Sequence, residues 1–162
     1  MNGPEWRDVP GYGGAYQVSD HGEIRSVDRI SARGHRVKGR VLRPSTSDGY
    51  ARLSLYSSAG ERSFVRTHCL VMLAFVGPCP DGLEVLHSDG DGLNNRLSNL
   101  SYGTRSQNSL DAVRHGTHRF SSMTHCKRGH KFTPENTFIK SSGSRECRAC
   151  RVVRARIKKG LA

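Results

Sequence analysis

His87, Asn99 and Asn108 are the residues of this chain whose types and spacing best suit chemistry on a charged substrate. An imidazole titrates near neutral pH and suits general-base work. An asparagine amide can offer its oxygen to a hard divalent cation, as Asn108 could, or bond nearby backbone and pin a loop, as Asn99 could. Cys126, His130, Cys147 and Cys150 form a second constellation, three thiols and one imidazole in two close pairs with 16 residues between them. Zinc takes four N or S ligands in a tetrahedron, and pairs two to four residues apart let one turn supply two of them.

The elements that must position the first set read as strand, long polar loop, strand, helix. Residues 83–87 are a short apolar-rich run ending at His87, and residues 88–98, rich in Gly, Asp, Asn and Ser, form a loop. Residues 99–103 suggest a second strand. From about Ser106, Leu110 and Val113 recur at helical spacing beside Ala112, and Gly116 follows as a stop. If the strands pair, His87 ends one, Asn99 begins the other and Asn108 stands on the first turn of the crossing helix. A histidine before Asp-Gly-Asp-Gly is, taken alone, an ordinary surface turn. The joint order of His, loop, Asn-Leu, strand, helix and Asn is far more specific.

That order resembles the HNH nucleases of the ββα-metal fold, and the segment Thr67-His-Cys-Leu-Val-Met-Leu-Ala-Phe-Val-Gly-Pro78 resembles the helix preceding the motif in phage-borne members. The resemblance implies His87 as general base, Asn99 as a structural residue and Asn108 as a ligand of one Mg²⁺ or Mn²⁺ ion. Many members place Asp, Glu or Asn just before the first His as a second ligand, where this chain has Leu86. Either Asp89 or Asp91 substitutes, with Asp89 preferred, or fewer protein groups and more phosphate oxygens and water hold the ion.

The N-terminal third consists of short β-prone pieces around Trp6, Tyr12, Tyr16-Gln-Val18 and Ile24-Arg-Ser-Val27, with Asp20-His-Gly22 as a hairpin turn. Residues 49–55 continue it, Tyr50, Arg52 and Ser54 alternating with Ala51, Leu53 and Leu55 as a sheet with one polar face would. Residues 5–29 closely resemble the small DNA-binding module attached to HNH homing endonucleases, which implies that Arg25, Arg43 and Arg52 lie near DNA. Trp6, Tyr12 and Tyr16 suit packing better than base stacking. Ser31, Arg33, Gly34, His35, Arg36 and Lys38 belong to a basic stretch without apolar periodicity, read as a loop over residues 31–40 that either touches phosphate or is simply solvated. Residues 66–75 are an apolar helix expected to pack behind the nuclease unit, with His68 and Cys69 in core or boundary roles.

In the last third, residues 132–138 and the turn at 141–144 suit a short hairpin between the two ligand pairs, followed by a helix bearing Arg151, Arg154, Arg156, Lys158 and Lys159. The pattern Cys126-Lys-Arg-Gly-His130 with Cys147-Arg-Ala-Cys150-Arg151 resembles the zinc-binding tail of phage HNH proteins. Arg151 and Arg154 are expected to meet phosphates.

The net charge of +12 over 162 residues points to a polyanionic partner. Residues 1–113 hold 13 Lys or Arg against 12 Asp or Glu, whereas residues 114–162 hold 13 against 2. The last third therefore supplies most of the long-range attraction. Neither a membrane span nor a signal peptide is legible, and five cysteines, an odd number without secretory features, argue against a disulfide framework.

The expectation is an α+β protein with a β-rich DNA-binding module over residues 1–60, an HNH unit over 61–118 and a basic zinc tail over 119–162. It would be a cytoplasmic endonuclease acting on double-stranded DNA, of nicking or homing type, with structural Zn²⁺ and no small-molecule substrate. It is read as a monomer with three DNA-facing modules, a dimer being the other option. The competing reading is a non-catalytic DNA-binding protein derived from such a nuclease, which Leu86 keeps open.

Overall fold

The computed structural model describes residues 3–31, 34–118, 120, 122–141 and 143–160, and divides after His115 into two compact units. In the first, β1 (Trp6–Asp8), β2 (Tyr16–Ser19) and β3 (Ile24–Ser26) form an antiparallel meander. The turn between β2 and β3 is Asp20-His21-Gly22, where Gly22 at φ 85° supplies the left-handed backbone. β4 (Arg29–Ile30) and β5 (Arg36–Val37) pair as a minimal hairpin, and β6 (Val41–Leu42) returns to the free edge of β3. Part of the stretch expected as a loop over 31–40 is thus strand. Its two-residue pairing is held by backbone bonds such as Ser31 N–H to His35 O at 2.8 Å, with no apolar alternation to announce it. Arg33 lies outside the described residues.

β7 (Ser45–Ser47), β8 (Tyr50–Tyr56) and β9 (Arg62–Arg66) make a second antiparallel sheet. Ala51, Leu53 and Leu55 of β8 are buried, as the alternation requires. α1 (Thr67–Phe75) follows β9 directly and buries Thr67, His68, Leu70, Val71 and Met72. β10 (Leu83–His87) pairs antiparallel with β11 (Leu100–Thr104), placing His87 opposite Leu100, and α2 (Arg105–Arg114) crosses the hairpin. The second strand starts one residue later than the sequence suggested, because Leu97–Asn99 close a 3₁₀ turn. α2 opens with a capping box in which Thr104 Oγ1 accepts from Gln107 N–H and Gln107 Oε1 accepts from Thr104 N–H, and Gly116 at φ 70° follows its end.

One apolar cluster joins the two sheets to α1 and β11. Val9, Tyr16, Val18 and Ile24 from the first sheet, Leu53 and Leu55 from β8, Leu70, Val71 and Met72 from α1 and Leu100 from β11 pack together. The expected boundary at residue 60 falls in the β8–β9 turn, inside this unit.

The second unit contains β12 (Thr137–Ile139), β13 (Arg145–Cys147) and α3 (Arg148–Lys158). The hairpin expected between the ligand pairs is present, although Ser142 of its turn lies outside the described residues. Among the described residues, no helix is long and apolar enough to cross a membrane.

Candidate active site and metal centre

Loop 88–98 is held by a dense polar network. Asn99, buried just before β11, accepts from Asp89 N–H at 3.1 Å through Oδ1, while its Nδ2 donates to Asp89 Oδ1 and Asn94 O, both at 2.9 Å. Asp89 Oδ1 also accepts from Asp91 N–H, and Oδ2 accepts from Asn94 Nδ2 at 2.6 Å. The Asn94 side chain, the Asp91 backbone and Asn99 together hold the Asp89 carboxyl at a pKa of about 2. Asn99 therefore sits where a loop-pinning residue must, and both oxygens of Asp89 are engaged by loop donors.

The loop also leans on the N-terminal sheets. A Cβ at Gly92 would lie 2.4 Å from Gly49 O, and one at Gly22 would meet Asn95 Cβ at 2.8 Å. Backbone contact this close leaves room for no side chain.

His87 ends β10 against an aromatic cluster. Its ring lies 4.9 Å from that of His68, edge-on at 83°, and 5.9 Å from Tyr50, whose face carries the Arg66 guanidinium at 4.8 Å. Burial lowers the His87 pKa, while the Asn95 side chain and the Asp89 and Asp91 carboxylates pull it back up. Nε2 of His87 is buried without a hydrogen-bond partner. His68 is 3% exposed, and burial, with help from His87 and Arg66, pushes its pKa down to about 4. His68 was expected in a bland core or boundary role, and nothing in a helix of this composition signals that its ring abuts His87. Cys69, beside it, is exposed.

Asn108 stands on the first turn of α2, and its Nδ2 donates to Glu84 Oε1 at 2.6 Å. Glu84 and Asn108 line an open cleft of about 460 Å³ together with Tyr50, Arg66 and His68. The neighbours of His87 and the proposed cation ligand thus share one opening. Sequence reasoning missed Glu84, although period-two alternation along β10 puts it on the same face as position 86.

The basic residues assigned to DNA differ in their freedom. Arg43 is exposed. Arg25 is stacked over Trp6 at 4.1 Å and bonds Gln17 Oε1, and Arg52 pairs with Asp48 at 3.2 Å. Trp6 therefore carries an arginine, and Tyr12 packs edge-on against the buried Tyr16.

In the second unit, Cys126, His130, Cys147 and Cys150 bring their donor atoms within 4.8 Å of one another. Cys126 Sγ is 3.5 Å from His130 Nδ1 and 3.6 Å from Cys150 Sγ, and His130 Nδ1 is 3.3 Å from Cys150 Sγ. Donors bound to zinc at about 2.0–2.3 Å in a tetrahedron stand roughly 3.3–3.8 Å apart, so the four fit that ion. Cys126 and His130 flank a turn closed by Cys126 N–H to His130 O, whereas Cys147 caps α3 and Cys150 lies on its first turn. Asn136 supports the second pair, its Nδ2 reaching Cys147 Sγ at 3.5 Å and its Oδ1 accepting from Ala149 N–H. Arg151 lies over the Phe138 ring at 4.4 Å, and Arg154 pairs with Glu146.

Residues 5–56 match the NUMOD4 motif and residues 65–110 match the HNH endonuclease family. The DNA endonuclease I-HmuI of Bacillus phage SP01 is 34% identical over 113 residues, covering 70% of this chain and 60% of that protein. The uncharacterized HNH endonuclease L247 of Acanthamoeba polyphaga mimivirus is 30% identical over 111 residues, covering 67% of this chain and 26% of that one. A solved structure described as DNA binding and cleavage by the HNH homing endonuclease I-HmuI superposes with a TM-score of 0.57 over 70% of this chain and 60% of that chain. The chain therefore spans 60% of the length of the first relative and 26% of the second.

Proposed function

We propose that this chain is an HNH endonuclease of the phage homing type with an N-terminal NUMOD4 motif, and that it hydrolyses phosphodiester bonds of double-stranded DNA with His87 as general base. The observation that carries the reading is His87, lowered in pKa, at a strand end beside a cleft that Asn108 lines from the opposite element.

A neutral imidazole can accept the proton of the water that attacks phosphorus, and burial keeps His87 neutral at physiological pH. His68 and Tyr50 hold the ring from one side. Asn99 fixes the loop that follows, so the histidine meets its substrate from a set direction. Of Asn108 and Asp89, Asn108 is the better placed to hold a divalent ion, since Asp89 is engaged within the loop. Mg²⁺ or Mn²⁺, when bound, supplies charge stabilisation at the phosphoryl group and the departing 3′ oxygen.

Arg43, Arg25 and Arg52 on the N-terminal sheets, with Arg151 and Arg154 on α3, are proposed to meet phosphates, Arg43 being the freest. Cys126, His130, Cys147 and Cys150 are proposed to hold a structural Zn²⁺, for which their spacing suits. One site cuts one strand, so a monomer nicks. A site-preferring nicking or homing role, inside a host cell, is proposed, and the similarity to I-HmuI supports it.

Leu86, buried where many relatives carry a ligand, favours the second reading, a DNA-binding protein without catalysis. Incubating the purified protein with supercoiled plasmid separates the two. Conversion to open circle that requires Mg²⁺ or Mn²⁺ is expected; plasmid that is bound yet stays intact with either ion would support the non-catalytic reading.

A further inference from the structure

Leu86 leaves the catalytic cation short of the carboxylate that the strand before His87 often supplies. Leu86 has no atom that can bind a cation, and it is buried, packed so closely over Gly103 that a Cβ there would lie 2.4 Å from its Cδ1. Asp89 is a poor replacement, since Asn94, Asn99 and the Asp91 backbone already occupy its two oxygens.

Glu84 has the opposite properties. It lies on the same face of β10 as Leu86, one side-chain repeat upstream, and its cross-strand partner is Gly103, which has no side chain to cover it. α2 crosses that face, as Gln107 Oε1 at 3.0 Å from the Gly103 Cβ position shows. Asn108, one residue on, reaches Glu84 directly at 2.6 Å. Among the described residues, no salt bridge engages Glu84, and it is only half-buried, open to the cleft that Arg66 and His68 also line.

Two oxygens bound side by side to Mg²⁺ at about 2.0–2.1 Å stand roughly 3 Å apart. The Glu84–Asn108 separation is close to that. Rotating the Asn108 amide exchanges its nitrogen for its oxygen without moving the backbone, and both groups then present oxygen to one point. We propose that Glu84 is the second protein ligand of the catalytic cation, partnering Asn108, so that the strand carboxylate has moved from the position before His87 to three positions before it. The inference rests on the metal-dependent reading above. Water and substrate phosphate would complete the shell.

Titration of the zinc-loaded, ¹⁵N-labelled full chain with Mn²⁺ tests this without relying on cleavage, because the paramagnetic ion broadens amide signals near it. Signals of residues 84, 103 and 108 are expected to broaden first. Glu84→Gln should need at least tenfold more Mn²⁺ for the same broadening and should nick plasmid at least a hundredfold more slowly, with duplex DNA affinity unchanged. Glu84→Asp, which withdraws the charge by one carbon, should fall between. Broadening centred on residues 89–91, unaltered in Glu84→Gln, would overturn the assignment, as would a variant matching the native chain at every Mn²⁺ concentration. Absence of broadening in the native chain also overturns it, and if cleavage then proves independent of metal, the parent reading fails with it.

Discussion

His87 and His68 share one ring contact but differ in what holds their charge. His87 is lowered by burial and pulled back by Asn95, Asp89 and Asp91, whereas His68 has no such counterweight and drops to about 4. At neutral pH both are uncharged, and of the two His87 has carboxylates near it, Asp89 and Asp91, that favour a gained proton. The depressed pKa of His68 has a consequence for stability. Between its unfolded value near 6.5 and its folded value near 4, the unfolded chain binds more protons. Stability contributed by neutral His68 is therefore complete above about pH 6.5 and lost as pH falls toward 4, on the order of 3 kcal/mol in all. His68→Phe should remove that share of the acid sensitivity, measured as the difference in urea midpoint between pH 7 and pH 4; an unchanged difference would refute it. The types of His87, Asn99 and Asn108 were legible because their chemistry and spacing coincide with turn and strand punctuation. The neighbours were not. His68 is 19 positions from His87 and sits in an apolar helix, and only the packing of α1 against β10 brings the rings together.

At the scale of elements, the position of Asn108 depends on how α2 begins. Thr104 and Gln107 satisfy each other's backbone N–H groups there, one turn before the helix commits. Thr104→Ala should cost about 1 kcal/mol, read as a lower denaturant midpoint, and should also lower the cleavage rate because the first turn carries Asn108. A stability loss with no change in rate would uncouple the cap from the site. α1, β10 and α2 could be read from apolar runs, a loop of turn formers and a glycine stop. The β4–β5 hairpin could not, because two-residue strands on an exposed face have no periodicity to detect. Nor could the close approaches of Gly92 to Gly49 and of Gly22 to Asn95, which tie the N-terminal sheets to the active-site loop. Such contacts join segments distant in sequence, and a glycine looks the same there as in a free turn.

The whole molecule divides its labour between an apolar unit and a basic one. Residues 3–115 have a core drawn from both sheets and α1, while among the described residues of the second unit Cys147 alone is buried. A unit with so little apolar burial would need the proposed metal in order to fold. Removing zinc with a chelator should make residues 122–160 sensitive to protease and reduce the helical signal from α3, leaving the melting of residues 3–115 in place. Unchanged protection of the tail would contradict a structural ion there. The zinc spacing and the charge asymmetry were plain in the sequence, but the single core spanning the expected boundary at residue 60 was not, since composition changes little across it.

The central claim, that His87 is the base of a DNA-cleaving site, is tested most directly by single-turnover cleavage of supercoiled plasmid with His87→Ala beside the native chain at saturating Mg²⁺, with duplex DNA affinity measured on both. Loss of the base should slow cleavage by roughly 10²–10⁴-fold while affinity stays within about twofold. Cleavage by the variant at the native rate would contradict the assignment.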